Sequence, residues 1–156
     1  MSLVDWALLT LVHAIPTLLM VGVIWVVQLV HYPLFAFADE ADFVAFEAAH
    51  RMRISVVVMP LMLAEVVTAI LLVLQAESAT QRVLAWTGAS LLLAVWLCTF
   101  LLQVPLHRRL SRGWDAEAAR RLVSTNWLRT ALWTLRGVVA TVLLVGLRSA
   151  GASAVG

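Results

Sequence analysis

Four long apolar segments dominate the sequence, and the first runs from Ala7 to Phe37 without a charged residue. The other three extend over residues 54–76, 83–106 and 130–147. Only two charged residues, Glu65 and Arg136, interrupt them. A helix needs about 20 apolar residues to cross the hydrocarbon core of a membrane, and lipid offers the backbone no hydrogen-bond partners. The pattern therefore predicts an all-α protein, a four-helix transmembrane bundle with up-down topology.

The composition agrees with an integral membrane protein and excludes several other classes. Hydrophobic residues make up 63% of the chain and charged residues 13%, about half the charged fraction of a typical soluble domain. This balance excludes a soluble globule, a disordered tail and a nucleic-acid binder, and the single Cys98 excludes an internal disulfide. We predict one integral membrane domain over residues 1–156, with the lipid bilayer as partner. Asp5 and the length of the first apolar run indicate a retained helix rather than a signal peptide.

The arginines are distributed unevenly between the connecting segments. Two of these segments face the same side of the membrane if the helices alternate, and they carry seven arginines: Arg51, Arg53, Arg108, Arg109, Arg112, Arg120 and Arg121. The other side has Arg82 and Arg148. Since basic residues remain on the cytoplasmic side, we predict that both termini lie on the non-cytoplasmic side.

The two halves of the chain show a faint internal repeat at an offset of 76 residues. The polar matches at this offset lie at one end of the helices: His31 on His107, His50 on Asn126, and Arg53 on Arg129. If the tandem two-helix pseudo-repeat is real, it brings these six residues together at the cytoplasmic end of the bundle. The identities are close in number to those expected by chance in so apolar a chain, so both interpretations stay open.

Histidines are the best candidates for holding a cofactor. We predict His31, His50 and His107 as ligands of a transition metal or haem, because neutral imidazole suits these groups. His13 lies 18 residues, or about 27 Å, before His31 on one helix face. We therefore predict His13, His31 and His107 as residues flanking a long cofactor. The alternative is that His31 and His107 only extend towards the membrane interface.

Polar residues near the same level suggest further roles. Glu47 and His50 have the Glu-x-x-His spacing of di-iron bundles, but Val123 and Asn126 replace this pair in the second half, which argues against such a centre. We predict His50, Arg53, Asn126 and Arg129 as catalytic residues. The arginines would hold a developing oxyanion, Asn126 would orient the substrate, and without a cofactor the histidines would act as bases.

Glu65 and Arg136 are the deepest charges in the predicted spans. Each alone is costly in lipid, so we predict a buried ion pair that joins the second and fourth helices. The alternative is a proton relay or an acid/base group.

Part of the second half resembles a known family. The resemblance is carried by Val-Pro-Leu-His-Arg-Arg-Leu from Val104, by Trp114-Asp115, and by Asn-Trp-Leu-Arg-Thr from Asn126. These stretches resemble the C-terminal half of the small four-helix proteins grouped with anthrone oxygenases, where a Val-Pro-x-Asn-x-x-Leu stretch precedes a Trp and an Asn/His-x-x-Arg pattern. This chain departs from the pattern at His107, where the family often has Asn.

The first half is similar in layout to another group. His13, Trp25 and the segment His-Tyr-Pro-Leu-Phe from His31 resemble the membrane protoporphyrinogen oxidase of the bacterial haem pathway. The Met-Glu-Arg segment and the Lys of that family have no match here. This resemblance implies haem and a bacterial inner membrane, and both resemblances imply oxidation of a hydrophobic aromatic molecule.

We therefore predict a membrane oxidoreductase or oxygenase that acts on a hydrophobic aromatic small molecule at the cytoplasmic end of the bundle, with a metal or haem as one version. The alternative is a non-enzymatic accessory subunit of a larger membrane complex, or a minimal transporter. A homo-oligomer is compatible with each.

Overall fold

A computed structural model describes residues 5–152, with side chains through Gly146. The predicted domain extends past this range at both ends, and the side chain of Arg148 lies outside the described residues. The α-helices are α1 (Trp6–Val26), α2 (Phe43–Gln75), α3 (Ala79–Cys98), α4 (Val104–Leu110) and α5 (Ala116–Ala152). A π-helical turn (Val27–His31) and a 3-10 turn (Pro33–Phe37) extend α1, and a second π-helical turn (Thr99–Gln103) joins α3 to α4.

These elements form four rods that are long and apolar enough to cross a membrane: Trp6–Phe37, Phe43–Gln75, Ala79–Leu110 and Ala116–Gly146. α1 packs against α2 and α5, and α3 packs against the same two helices. Consecutive rods are therefore antiparallel neighbours, and the fourth closes a ring with the first. This confirms the predicted all-α four-helix bundle with up-down topology.

The helices are longer than the apolar segments. α2 has 33 residues, which correspond to about 50 Å, whereas the hydrocarbon core is about 30 Å thick. The predicted span 54–76 thus covers the second part of α2 and ends one residue beyond it, and the span 130–147 lies within α5. The first residues of both helices, together with the connections at 38–42 and 111–115, form one end of the bundle, which we call the Arg-rich end.

Local sequence explains where the rods begin and turn. Ser78 caps α3 in a capping box with Gln81, which satisfies backbone N–H groups that have no partner in the first turn. Gly113 adopts φ +146° in the turn before α5, a conformation that favours glycine. Asp115 then accepts hydrogen bonds from the Ala118 backbone N–H and from Arg109, and these hold the pKa of its carboxyl below the ordinary value.

The helix bounds carry a trace of the repeat. Trp6 and Ala79, Phe37 and Leu110, and Phe43 and Ala116 are each 73 residues apart, and each half contains one π-helical turn near the Arg-rich end. The two halves therefore match as helical hairpins. Their offset differs by three residues from the offset of 76 at which the polar residues match.

The interior is apolar except for a few buried polar side chains. Three hydrophobic clusters follow one another along the bundle, around Phe35 and Leu122 at the Arg-rich end, around Met20 and Trp133, and around Leu9 at the opposite end. Aliphatic residues also cover the outer surface, as a bilayer requires. α1 and α5 approach closely at Gly137, where an added Cβ would lie 2.9 Å from Cγ2 of Val21. Such small residues let transmembrane helices pack backbone against backbone.

Candidate functional site

The buried polar side chains form two separate clusters. One lies at the Arg-rich end and contains Glu47, His107, Tyr32 and Arg129 among its members. The other lies deeper, around the Glu65–Arg136 pair. The first cluster borders a cavity of about 360 Å³, so it is the candidate functional site.

The centre of the site is a hydrogen-bonded chain of a carboxylate, an imidazole and a phenol. Oε1 of Glu47, a residue with 0% exposure, lies 2.7 Å from Nδ1 of His107. Nε2 of the same ring lies 3.1 Å from the Tyr32 hydroxyl. A carboxylate accepts, so Nδ1 carries the proton and Nε2 is the acceptor. The Tyr32 hydroxyl therefore donates to His107, and Glu47 fixes the orientation of the ring.

Arg129 is a buried cation beside this chain. It is 8% exposed, its guanidinium lies near the Tyr32 hydroxyl, and Nη1 donates to Oδ1 of Asn126 at 3.1 Å. Nε is buried without a hydrogen-bond partner, and no carboxylate of residues 5–146 forms an ion pair with it. Buried charges are normally paired. Arg129 is therefore available for an anionic group.

Two glutamines in the π-helical turns fix α5 in place. Gln28 accepts from Nδ2 of Asn126 at 2.8 Å and donates to the Val123 carbonyl at 3.3 Å. Gln103 donates to the Thr125 hydroxyl at 2.9 Å. A π-helical turn adds one residue to a helix and often marks a functional site. Here each turn directs its glutamine towards α5 and so supports the position of Arg129.

A cavity of about 360 Å³, which we call the internal cavity, lies among α1, α2 and α3 next to the chain. It is partly open to the surface, because exposed Ser55, Met59 and Phe100 line its outer side. Its walls are apolar over most of their area and include Ile24, Met62 and Trp96. Its polar residues include Tyr32, His50, Gln103, His107, Arg51, Arg108 and Arg129. No Asp or Glu lines it among the described residues. The volume is within the range of small-molecule sites, and the arrangement suits an apolar molecule that carries one anionic oxygen.

The three histidines predicted as metal ligands do come together, but as a stack. The ring centroids of His31 and His50 are 4.1 Å apart at an interplanar angle of 27°, and those of His50 and His107 are 5.8 Å apart at 29°. Imidazole lone pairs lie in the ring plane, so nearly parallel stacked rings do not direct them to one point. His107 also has both nitrogens engaged. Among the described residues, no group of three or more His, Cys, Asp or Glu side chains could hold a metal ion.

Three other predicted site residues do not line the internal cavity. His13 belongs to the deep cluster, where Nδ1 lies 2.7 Å from the Thr68 hydroxyl, and the rise of α1 separates it from His31, as the spacing predicts. Arg53 is exposed and borders an outer groove rather than the internal cavity, so it does not share an oxyanion with Arg129. Asn126 is fully buried and bonds to protein groups, which makes it a support of Arg129.

The predicted ion pair in the deep cluster is confirmed. Nη2 of Arg136 donates to Oε1 of Glu65 at 2.9 Å, and Nη1 donates to the Gly88 carbonyl. The Thr17 hydroxyl donates to the same carboxylate oxygen at 2.7 Å. The guanidinium also lies 5.5 Å from the Trp133 ring centroid. α1, α2, α3 and α5 therefore meet at this one charge pair.

The structure adds residues that the predicted site lacked, chiefly Tyr32 and Glu47. Two signals in the sequence pointed to them. Tyr32 is the only tyrosine of the chain, and Glu47 is an acidic residue one turn before His50 on a helix whose first half also carries Arg51 and Arg53. Neither signal shows which histidine the side chains contact, because that depends on helix rotation and packing.

No protein-family model matches the chain, and comparisons with curated proteins and with solved structures found no match. The function proposed below therefore depends on the chemistry of the site residues.

Proposed function

We propose that this protein is a membrane oxygenase that removes a proton from a hydrophobic aromatic substrate in the internal cavity and uses dioxygen as the oxidant. The observation that carries the proposal is the Glu47–His107–Tyr32 chain, which ends beside the buried Arg129 at a largely apolar cavity. Arg129 has no carboxylate partner among the described residues. The site therefore combines a proton acceptor with a cation that can hold the resulting oxyanion.

The proton moves along the hydrogen-bonded chain. As the substrate's proton passes to the Tyr32 oxygen, the Tyr32 proton passes to Nε2 of His107, and the resulting imidazolium is stabilised by the Glu47 carboxylate. This is the logic of a catalytic triad, in which an oriented imidazole activates a hydroxyl group. Arg129 makes the proton transfer easier because it stabilises negative charge on the Tyr32 oxygen and on the substrate.

The substrate class follows from the charge that must be held. A methylene carbon conjugated to an aromatic ketone loses its proton to give an anion whose charge rests largely on the oxygen, and a guanidinium stabilises that oxygen in a dry site. Dioxygen then accepts electrons from the carbon. In the balanced reaction the methylene becomes a carbonyl, one oxygen atom enters the product and the other leaves as water. The resemblance to anthrone oxygenases supports this class.

The arrangement of the three histidines argues against the metal and haem versions of the proposal. His107 is hydrogen-bonded at both nitrogens, and the His31–His50–His107 rings are stacked. Metal or haem binding through His107 would have to break the Glu47–His107–Tyr32 chain. We therefore place the version without a cofactor first, and expect the purified active protein to be colourless and free of stoichiometric transition metal.

The first test is turnover in lipid vesicles supplied with anthrone and dioxygen, followed as oxygen uptake and quinone absorbance. Tyr32→Phe and His107→Gln are expected to lower kcat by about 100-fold or more, the contribution typical of a positioned acid or base. Tyr32→Phe removes only the hydroxyl and keeps the ring that packs on Phe35.

His31→Gln is the matched control, because the metal version requires His31 whereas the proton relay does not. At saturating anthrone it should retain nearly full kcat, and a change in KM alone would concern substrate entry and not the relay. The proposal is wrong if the wild-type protein neither oxidises nor binds anthrone-type ketones, or if activity follows metal content and is lost in His31→Gln. A stoichiometric protein partner, with no effect of the Tyr32 and His107 variants, would favour the accessory subunit.

The orientation in the membrane belongs to the same proposal. We propose that the Arg-rich end lies in the cytoplasm of a bacterial inner membrane, because seven arginines stand against two on the opposite side. In a Cys98→Ala background, Arg112→Cys should react with a membrane-impermeant maleimide in inverted vesicles and not in intact cells. Reaction in intact cells alone would reverse the orientation.

A further inference from the structure

A second cavity, of about 670 Å³, lies on the outer surface of the bundle between α1 and α2. We call it the α1–α2 groove. Its apolar lining includes Leu19, Gly22 and Val26 on α1 and Val57 on α2, and all four are exposed. The groove therefore faces the lipid at these residues, and its end at Phe46 and Arg53 reaches the Arg-rich end. An added Cβ at Gly22 would meet no atom within 4 Å, so there is open space beside Gly22 in the groove.

One end of the groove is polar. His31, His50 and Arg53 line it there, and they are its only polar side chains within the described residues. Nε2 of His31 is buried and has no hydrogen-bond partner, and Arg53 forms no ion pair in the described part of the chain. An apolar body with one oxygen-bearing end matches this arrangement, with the oxygen near His31 and Arg53 and the body along Gly22.

Only a thin wall separates the groove from the internal cavity. Val23, Val27, His50 and Ile54 line both spaces. The groove and the internal cavity are therefore adjacent, and these four side chains separate them. His50 lies at the polar end of this wall, and one face of its ring stacks on the His31 ring.

We propose that the α1–α2 groove is a lateral access site, in which a flat aromatic molecule with one ketone or phenolate oxygen binds from the lipid and passes between Val23 and Ile54 to the internal cavity. That this ligand is the substrate rests on the function proposed above; the route itself does not. Neither space is lined by a described carboxylate, so a cationic amphiphile is disfavoured at both.

The route is tested by labelling a thiol placed in the internal cavity. Met62 lines the internal cavity and not the groove, so the reporter is Met62→Cys in a Cys98→Ala background. In vesicles it should react with pyrene maleimide, which partitions into lipid and has a flat aromatic body, and much more slowly with a sulfonated maleimide. The double substitution Val23→Phe/Ile54→Phe should slow the pyrene reaction at least about tenfold, because the added barrier enters the rate exponentially.

Val67→Phe is the matched control, since Val67 lies on the lipid face of α2 and lines neither space. It should leave the labelling rate unchanged, and labelling after denaturation should be equal in all variants, which separates access from thiol reactivity. The proposal is overturned if Val23→Phe/Ile54→Phe leaves the labelling rate unchanged, if the sulfonated reagent reacts as fast as the pyrene reagent, or if neither reagent labels the folded protein. The experiment does not measure turnover. The access route can therefore be supported when the catalytic proposal fails, and the catalytic proposal can be supported when the access route fails.

Discussion

Arg136→Met is expected to destabilise the protein by about 3–5 kcal/mol, the usual cost of removing one member of a buried ion pair. The methionine leaves the Glu65 carboxylate, which has 0% exposure, with Thr17 as its remaining hydrogen-bond donor. It also leaves the Gly88 carbonyl without its side-chain donor. The measurement is thermal unfolding in detergent, read by circular dichroism and by the monodisperse fraction after heating.

The double variant Glu65→Leu/Arg136→Met should recover most of this loss, because two apolar side chains replace both charges and no uncompensated charge remains. Arg82→Met, at an exposed arginine of α3, is the control and should change stability little. A single variant as stable as wild type, or a double variant no better than the single one, would show that the pair contributes little to stability. Recovery of stability with loss of function would instead favour the proton-relay alternative.

Arg129→Gln should weaken ligand binding without lowering stability, unlike Arg136→Met, because this buried arginine has no carboxylate partner among the described residues. We expect binding of 9-anthracenecarboxylate, a flat hydrophobic anion, to weaken by about 10- to 100-fold. A hydrogen bond to a charged group contributes about 1.5–3 kcal/mol, and each 1.4 kcal/mol changes Kd tenfold. The measurement is isothermal titration in detergent, with quenching of tryptophan fluorescence as a second readout.

Thermal stability should be unchanged or higher in Arg129→Gln, since burying a cation without a counter-ion is costly. This separates a binding residue from a structural one. Arg112→Gln, at an exposed arginine outside both cavities, is the matched control and should bind the anion as wild type does. Equal binding by Arg129→Gln and wild type would remove Arg129 from the proposed site. A large loss of stability would instead make it a structural residue.

The site was only partly predictable from the residues. The convergence of His31, His50 and His107 at one level follows from their distances to the helix ends, which depend only on the rise per residue. The stacked arrangement of their rings depends on rotation about each helix axis. The π-helical turn at Val27–His31 changes that rotation by adding a residue to the turn, so spacing cannot show that His31 borders the groove while Tyr32 borders the internal cavity.

Arg53 and Arg129 show the same limit. Matching positions in the two halves suggested one shared oxyanion site, but α2 and α5 are both neighbours of α1 and lie on different sides of it. One arginine therefore borders the outer groove and the other the internal cavity. The Glu47–His107 contact joins residues 60 positions apart, and no local pattern contains that pairing.

The sequence by itself determined the four helices, their up-down order and the pairing of Glu65 with Arg136. Each follows from the cost of placing backbone or charge in lipid, which is local and additive along the chain. Only the tertiary structure decided that Tyr32, His107 and Glu47 form one chain, that Arg129 has no counter-ion within the described part of the protein, and that two cavities share a wall. These depend on helix rotation and side-chain packing, where several arrangements of the same apolar faces have similar burial and differ only in which polar atoms meet.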